Sequence, residues 1–185
     1  MHFHATKQRV FNRGVPPDKF LEELVGWGKI AADDIFERNS HVDIYSNVVG
    51  VLGPWENLEH RRAAMLEVLR VLAGFESSWD WNAGVDTTNP TSVTPDTIEA
   101  GAWQVSANSM AFGEELKDLV LKKVGTFDGG DFQRVMKADH QFAMEYTARL
   151  LRRTVNHHGP VKRHEIDDWL RRDAVDEFRT LVTAP

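Results

Sequence analysis

The sequence predicts a mainly α-helical protein that folds as one domain over residues 1–185. Apolar residues recur at spacings of three and four along several long segments, which is typical of helices with one buried face. The apolar β-branched residues Val and Ile are frequent over one short segment, residues 41–52. Residues 80–100 are rich in Gly, Pro, Asn and Thr, and they predict a long loop or a small β lobe between the helices.

Composition and charge exclude several classes of protein. The formal net charge is −6, so the broad basic surface of a dedicated nucleic-acid-binding protein is not expected. Cysteine is absent, which excludes disulfides and thiolate catalysis. No apolar stretch has the length of a signal peptide core or a membrane span. We therefore expect synthesis in the cytoplasm without a signal peptide, no membrane insertion and no nucleic-acid partner.

The first part of the chain is predicted to contain an arm, one helix and one extended segment. Residues 1–15 lack apolar periodicity and should form an irregular arm. Two prolines and an aspartate at 16–18 indicate the start of a helix that continues to about residue 30. Val and Ile become frequent over residues 41–52, which favours a short strand or an extended loop that ends at Gly53-Pro54.

The rest of the chain is predicted to be helical outside its loops. A helix over about 55–79 is apolar on almost every side after a polar beginning, and such a helix is normally buried at the centre of a domain. Helical spacing returns after residue 108, and a strong helix is predicted over about 131–155. After the turn at 156–160, a last helix covers about 164–181.

One carboxylate is predicted at a core position. Leu69, Leu72 and Glu76 follow one another at spacings of three and four, which places Glu76 on the buried face of the central helix. Burying a charged carboxylate without partners costs free energy, so the position favours a functional role such as that of a general acid. The alternative is a Glu at the helix end that simply faces solvent.

Four segments of the chain resemble sequence motifs of a known group of enzymes. They are residues 75–79 (Phe-Glu-Ser-Ser-Trp), 100–105 (Ala-Gly-Ala-Trp-Gln-Val), 139–151 (which ends in Leu-Leu) and 156–160 (Asn-His-His-Gly-Pro). In this order they resemble the Glu-Ser, Gly-Leu-Met-Gln-Val, Asn-Ile-x-x-Gly-x-x-Tyr and Tyr-Asn-Ala-Gly-Pro motifs of soluble lytic transglycosylases and goose-type lysozymes. Both groups belong to the lysozyme-like superfamily, and the motif-bearing core of this chain covers about residues 55–165.

The chain also departs from the family pattern. The separation between Glu76 and Gln104 is longer than usual, because residues 86–99 form a Thr- and Pro-rich insert. Ser106 stands where goose-type lysozymes have an aspartate after their Gln-Val pair.

The resemblance implies an α+β lysozyme-like fold and a muramidase that cleaves the β-1,4 bond between N-acetylmuramic acid and N-acetylglucosamine (MurNAc–GlcNAc). Glu76 would be the catalytic acid. A hydrolase of the inverting kind needs a second carboxylate, for which Asp96, Asp86 and Glu99 remain open, whereas a lytic transglycosylase needs one Glu only. Candidate substrate-binding residues are Ser77, Gln104, Trp103 and Tyr146.

We predict no cofactor and no metal. The histidines and aspartates near the last helices could suggest a metal site, but their spacing matches no closed zinc pattern: His157, His158, His164, Asp167 and Asp168.

The expected partners are peptidoglycan glycan strands. A catalytic domain without wall-binding repeats resembles a phage lysin or an antibacterial toxin delivered by a type VI secretion apparatus. Either would act in the periplasm or cell wall of a target bacterium, after specialised secretion or lysis, and a toxin would have a cognate immunity protein as inhibitor. The alternatives are a chitinase or chitosanase of the same superfamily and a non-catalytic binding protein on a lysozyme-like scaffold.

Overall fold

The computed structural model describes residues 1–38, 43–85 and 87–184. Within them the protein is mainly α-helical, as the sequence predicts. The described α-helices are α1 (Asp18–Ile30), α2 (Ile44–Leu52), α3 (Leu58–Ser77), α4 (Glu114–Val124), α5 (Gly129–Ala138), α6 (His140–Arg153), α7 (Gly159–Lys162) and α8 (Arg172–Thr183). Short 3-10 helices cover Asp33–Ile35, Ala107–Phe112 and Asp167–Trp169. In place of a β lobe, the described part of the loop region has a single bridge between Ala100 and Val105.

Helix α3 is the centre of the hydrophobic core. The Asn57 side chain caps its first turn by accepting a hydrogen bond from the backbone N–H of His60 at 2.8 Å. Nearly every residue from Ala63 to Gly74 is buried, and α1, α2, α6, α7 and α8 all pack against this helix. The prediction of a buried central helix is therefore confirmed, with its beginning at Leu58 and its end at Ser77.

The prediction of a strand or extended loop over residues 41–52 is wrong from Ile44 onwards, and residues 41 and 42 lie outside the described residues. Asp43 and Ser46 form a reciprocal capping box that starts helix α2. The buried residues of α2 lie at helical spacing on one face: Ile44, Tyr45, Val48 and Leu52. Packing of this face outweighs the weak preference of β-branched residues for strands.

The helix predicted over 131–155 is two helices, because Asp139 interrupts it. Asp139 has an extended conformation, and its side chain accepts a hydrogen bond from the backbone N–H of Phe142 at 2.9 Å. This cap ends α5 and starts α6. The last helix, predicted over 164–181, begins only at Arg172, because Leu170 and Arg171 are extended.

A buried ion pair lies inside α3, in the segment that the sequence predicts to be apolar on almost every side. Glu67 and Arg70 are both fully buried, and two hydrogen bonds of 2.7 Å join the guanidinium to the carboxylate. The carboxylate also accepts from the backbone N–H of Arg171 at 3.0 Å, and the guanidinium donates to the backbone oxygen of Gln8 at 3.2 Å. Burial raises the pKa of Glu67, and the charge of Arg70 opposes that rise.

The N-terminal residues contain no helix before Asp18, but they are attached to the body of the protein. The carboxylate of Glu177 in α8 accepts hydrogen bonds from the backbone N–H groups of His4 and Thr6, at 2.8 and 2.7 Å. Val10 is fully buried in the core. None of the described helices is both long enough and apolar enough to cross a membrane.

Candidate functional site

A cleft of about 1090 Å³ lies at the C-terminal end of α3. Its walls come from the N-terminal arm, the last turn of α3, two parts of the long loop, the segment around Gln104 to Phe112, and the turn between α6 and α7. The loop residues that line it are Ala83, Gly84, Val85, Thr88, Asn89, Thr91, Thr97 and Glu99. Most of the lining side chains are polar, and they include Arg13, Glu76, Gln104 and Asn108. The long loop therefore forms one side of the cleft, and the helical body forms the other.

Glu76 projects from the last turn of α3 into the cleft wall. Its side chain keeps 19% of its exposure, so the carboxylate is mostly covered but still reaches the open space. Its Oε1 atom lies 3.4 Å from Nδ1 of His158. The position is thus neither deep core nor free surface, which is the setting in which a carboxyl group can meet a ligand in a partly dry environment.

The chain reverses sharply after Glu76. Ser78 and Trp79 both have positive φ values, 57° and 63°, and Ser78 is the C-terminal cap of α3. The hydroxyl of Ser77 donates to the backbone oxygen of Ala102 at 2.8 Å and accepts from the backbone N–H of Asp80 at 3.0 Å. Ser77, predicted to bind substrate, therefore joins the end of α3 to two loop segments and is absent from the cleft lining.

Gln104 lines the cleft, as its predicted role requires. It lies in a tight turn closed by the bridge between Ala100 and Val105, and its φ is +48°. Gly101 in the same turn has a φ of +75°, and a Cβ there would lie 2.9 Å from the backbone oxygen of Met136. The turn therefore requires glycine at 101. The side-chain amide of Gln104 donates a hydrogen bond to the backbone oxygen of Gly101 at 3.1 Å, so it supports this turn as well as lining the cleft.

The prediction that Trp103 and Tyr146 bind substrate is wrong, because both side chains are fully buried behind the cleft. The indole N–H of Trp103 donates to the backbone oxygen of Leu69 at 2.9 Å. The hydroxyl of Tyr146 lies 2.8 Å from that of Ser109, and burial raises the pKa of Tyr146. Their polar atoms already have partners in the protein, so these rings support the site from the core and do not offer a face to a sugar.

The three candidates for a second carboxylate have different positions. Glu99 lines the cleft, and its two oxygens accept hydrogen bonds from the Asn89 amide, at 2.6 Å, and from the Ser92 hydroxyl. Asp96 is exposed and absent from the cleft lining. Asp86 lies outside the described residues. Glu99 is thus the one described member of the three that the cleft contains.

Histidines in the turn before α7 are the main site residues that sequence reasoning placed elsewhere. His157 and His158 both line the cleft, whereas the sequence indicated no site role for them beyond a rejected metal site. The resemblance of residues 156–160 to a family turn was the signal that could have placed them there. In the part of the chain that the structure describes, no group of three or more His, Asp or Glu side chains is arranged to hold a metal ion.

The pKa of His157 is far below that of an ordinary histidine, so its titration makes the stability of the protein depend on pH. Burial and the neighbouring His158 lower the pKa of His157 to about 3. An ordinary histidine titrates near 6.5, so the unfolded chain binds this proton more readily than the folded protein. Above pH 6.5 the ring is neutral in both the folded and the unfolded state, so it does not reduce the stability. As the pH falls from 6.5 towards 3, the ring becomes protonated in the unfolded chain only, and the free energy of unfolding decreases.

We expect the wild type to lose about 1–2 kcal/mol more unfolding free energy between pH 7 and pH 5 than His157→Asn does. Urea unfolding at both pH values measures this difference. Between pH 8 and pH 7 the two proteins should change almost equally. Parallel curves over the whole range from pH 8 to pH 5 would contradict the assignment of this titration to His157.

Comparison with known proteins does not identify the chain. No protein-family model, no curated protein and no solved structure matches it.

Proposed function

We propose that the protein is a peptidoglycan-cleaving glycosidase with a lysozyme-like fold, and that Glu76 is its general acid at the MurNAc–GlcNAc bond. The observation that carries the proposal is the position of Glu76. Its carboxyl group lies at the end of a buried helix and on the wall of a cleft of about 1090 Å³. A site of this size is at the upper end of the usual range for ligand pockets, which suits a substrate of more than one sugar unit.

Glycoside cleavage requires a proton donor at the leaving oxygen. Glu76 is placed to supply that proton, since its carboxyl group is mostly covered by protein and faces the cleft. Gln104 and Asn108 bring side-chain amides to the same cleft. One N–H of Gln104 donates to the backbone oxygen of Gly101, and the amide oxygen of Asn108 accepts from the Ser106 hydroxyl, so each amide would meet a ligand with its remaining hydrogen-bonding capacity. An amide both donates and accepts hydrogen bonds, which fits the hydroxyl and acetamido groups of amino sugars.

The cleft also contains cationic side chains, which favour peptidoglycan over the neutral polymer chitin. Arg13 and Arg163 both line it. Arg163 forms hydrogen bonds with Glu165, whereas Arg13 is exposed on the N-terminal arm. A guanidinium at the edge of the cleft complements the carboxylates of muramic acid and of the attached peptides.

Digestion of purified peptidoglycan, followed by mass spectrometry of the products, tests this function. Disaccharide-peptide fragments are the expected products. Anhydro-sugar ends would identify a lytic transglycosylase, and reducing ends would identify a hydrolase. Cleavage of chitin or chitosan without cleavage of peptidoglycan would change the substrate. Binding to peptidoglycan without any product would contradict the enzyme and favour a binding protein.

A test of Glu99 decides whether a second carboxylate takes part. Both of its oxygens hold the loop through Asn89 and Ser92, so we assign Glu99 to loop support. We expect Glu99→Gln to keep activity within about tenfold of the wild type, well inside the loss of about 10²–10⁴-fold that removal of a general acid or base causes. If Glu99→Gln instead loses as much activity as expected when Glu76 is replaced by Gln, Glu99 is the base of an inverting hydrolase.

The setting in which the enzyme works belongs to the same proposal. It would act in the periplasm or cell wall of a target bacterium, as a type VI secretion toxin with an immunity protein or as a phage-type lysin. Fusion to an export signal should then lyse a bacterial host, whereas expression in the cytoplasm should not. Survival of the host with active enzyme in its periplasm would contradict this setting.

A further inference from the structure

The imidazole ring of His158 lies beside the carboxyl group of Glu76. Its Nδ1 atom lies 3.4 Å from Oε1 of Glu76, and its side chain is only 3% exposed. Among the described residues, no hydrogen bond to the Glu76 side chain is found. The guanidinium of Arg163 also interacts electrostatically with Glu76 from the same cleft, but it forms hydrogen bonds with Glu165. His158 is the group whose side chain contacts the Glu76 carboxyl group at 3.4 Å.

The other ring nitrogen of His158 indicates where the ring proton lies. Nε2 is buried and has no hydrogen-bond partner in the described part of the protein. A buried N–H without an acceptor is rarer in proteins than an acceptor without a donor, because the unpaired donor loses its hydrogen bond to water. The proton is thus favoured on Nδ1, on the side of Glu76.

The surroundings of the ring limit its movement. His157 packs edge-on against His158, with the ring centroids 4.9 Å apart and the planes at 85°. His158 also precedes α7, which packs against α3. The imidazole is therefore held between the helix that carries Glu76 and the turn that closes the cleft.

We propose that His158 is a positioning residue for Glu76, and this inference rests on the proposed glycosidase function. When substrate binds, the Nδ1–H group comes within hydrogen-bond distance of Oε1, which fixes the carboxyl group and leaves Oε2 to carry the catalytic proton. In the reaction, the proton moves from Oε2 to the glycosidic oxygen, and the electron pair of the broken C1–O bond goes to that oxygen. Water or a hydroxyl group of the sugar then forms the new bond to C1 and releases its proton, which restores the carboxyl group of Glu76, while His158 keeps its own proton. A contact of 3.4 Å in the free enzyme is consistent with a bond that shortens when substrate binds.

The kinetic test compares two substitutions. His158→Leu removes the donor, and His158→Asn retains an N–H near the position of Nδ1. We expect His158→Leu to lower kcat about 10- to 100-fold with little change in KM, since hydrogen bonds to charged groups contribute at this scale. His158→Asn should recover most of the loss. His2→Leu, at an exposed position of the N-terminal arm, is the matched control and should behave as the wild type. Thermal unfolding of each variant identifies any loss that comes from misfolding.

A second measurement does not depend on activity. Nitrogen-15 NMR of the imidazole should find the proton on Nδ1 in the wild type, and the Nδ1 signal should shift in Glu76→Gln. A proton on Nε2, an unchanged kcat in His158→Leu, or a folded His158→Asn as inactive as the Leu variant would overturn the inference about His158. A wild-type protein that cleaves no glycan would instead overturn the proposed function, even if the NMR result placed the proton on Nδ1.

Discussion

Replacement of Glu76 by Gln is expected to lower kcat for peptidoglycan cleavage by about 10²–10⁴-fold. Gln has nearly the same shape as Glu but cannot transfer a proton to the leaving oxygen. The side chain lies at the cleft surface and not in the deep core, so we expect thermal stability and KM to change little. Steady-state kinetics on soluble glycan fragments would measure the effect.

The control for this variant is the same chemical change at an exposed position. Glu22 lies on the exposed side of α1, and its side chain is half exposed. Glu22→Gln should retain full activity. If Glu76→Gln cleaves glycan as fast as this control, Glu76 is not the general acid, and the proposed mechanism is wrong.

Replacement of Glu67 by Ala should destabilise the protein by about 3–5 kcal/mol, because Arg70 is left charged and buried without its partner. The backbone N–H of Arg171 also loses its acceptor. For a protein of this size, such a loss corresponds to a decrease in Tm of roughly 6–20 °C. Thermal unfolding followed by circular dichroism measures it.

Two further variants make the interpretation of this loss specific. Glu114→Ala removes a pair with Lys117 at the same i,i+3 spacing but on the exposed surface of α4, and it should cost less than about 1 kcal/mol. The double variant Glu67→Leu with Arg70→Met should recover much of the stability, since apolar residues of similar volume can replace a buried pair. If Glu67→Ala and Glu114→Ala have the same Tm, the buried pair is not a major support of the fold.

The helical class and the central helix could be predicted because they depend on patterns within one segment. Apolar periodicity located α1 and α3 to within a few residues. The same method failed at α2, where the β-branched residues indicated a strand but one apolar face packs as a helix. It also missed the interruption at Asp139, since one aspartate can cap a new helix inside a continuous periodic pattern.

The candidate site was predictable only where it depends on a pattern within one segment of the chain. Glu76 was found from its spacing along one helix, and Gln104 lies in the cleft, whereas Trp103 and Tyr146 are behind it. A motif gives the order of residues along the chain, but it does not give their depth. The contact of His158 with Glu76 joins distant parts of the chain, so no local pattern could have shown it.

The Glu67–Arg70 pair has a consequence for the order in which the protein is made. The guanidinium of Arg70 also donates a hydrogen bond to the backbone oxygen of Gln8, and the carboxylate of Glu67 also accepts one from the backbone N–H of Arg171. Gln8 leaves the ribosome early, whereas Arg171 leaves it only after all the cleft residues have been synthesised. A nascent chain that ends before Arg171 therefore lacks this partner of Glu67 and also α8, which packs against α3. The helix that bears Glu76 reaches its final environment only after both have been synthesised.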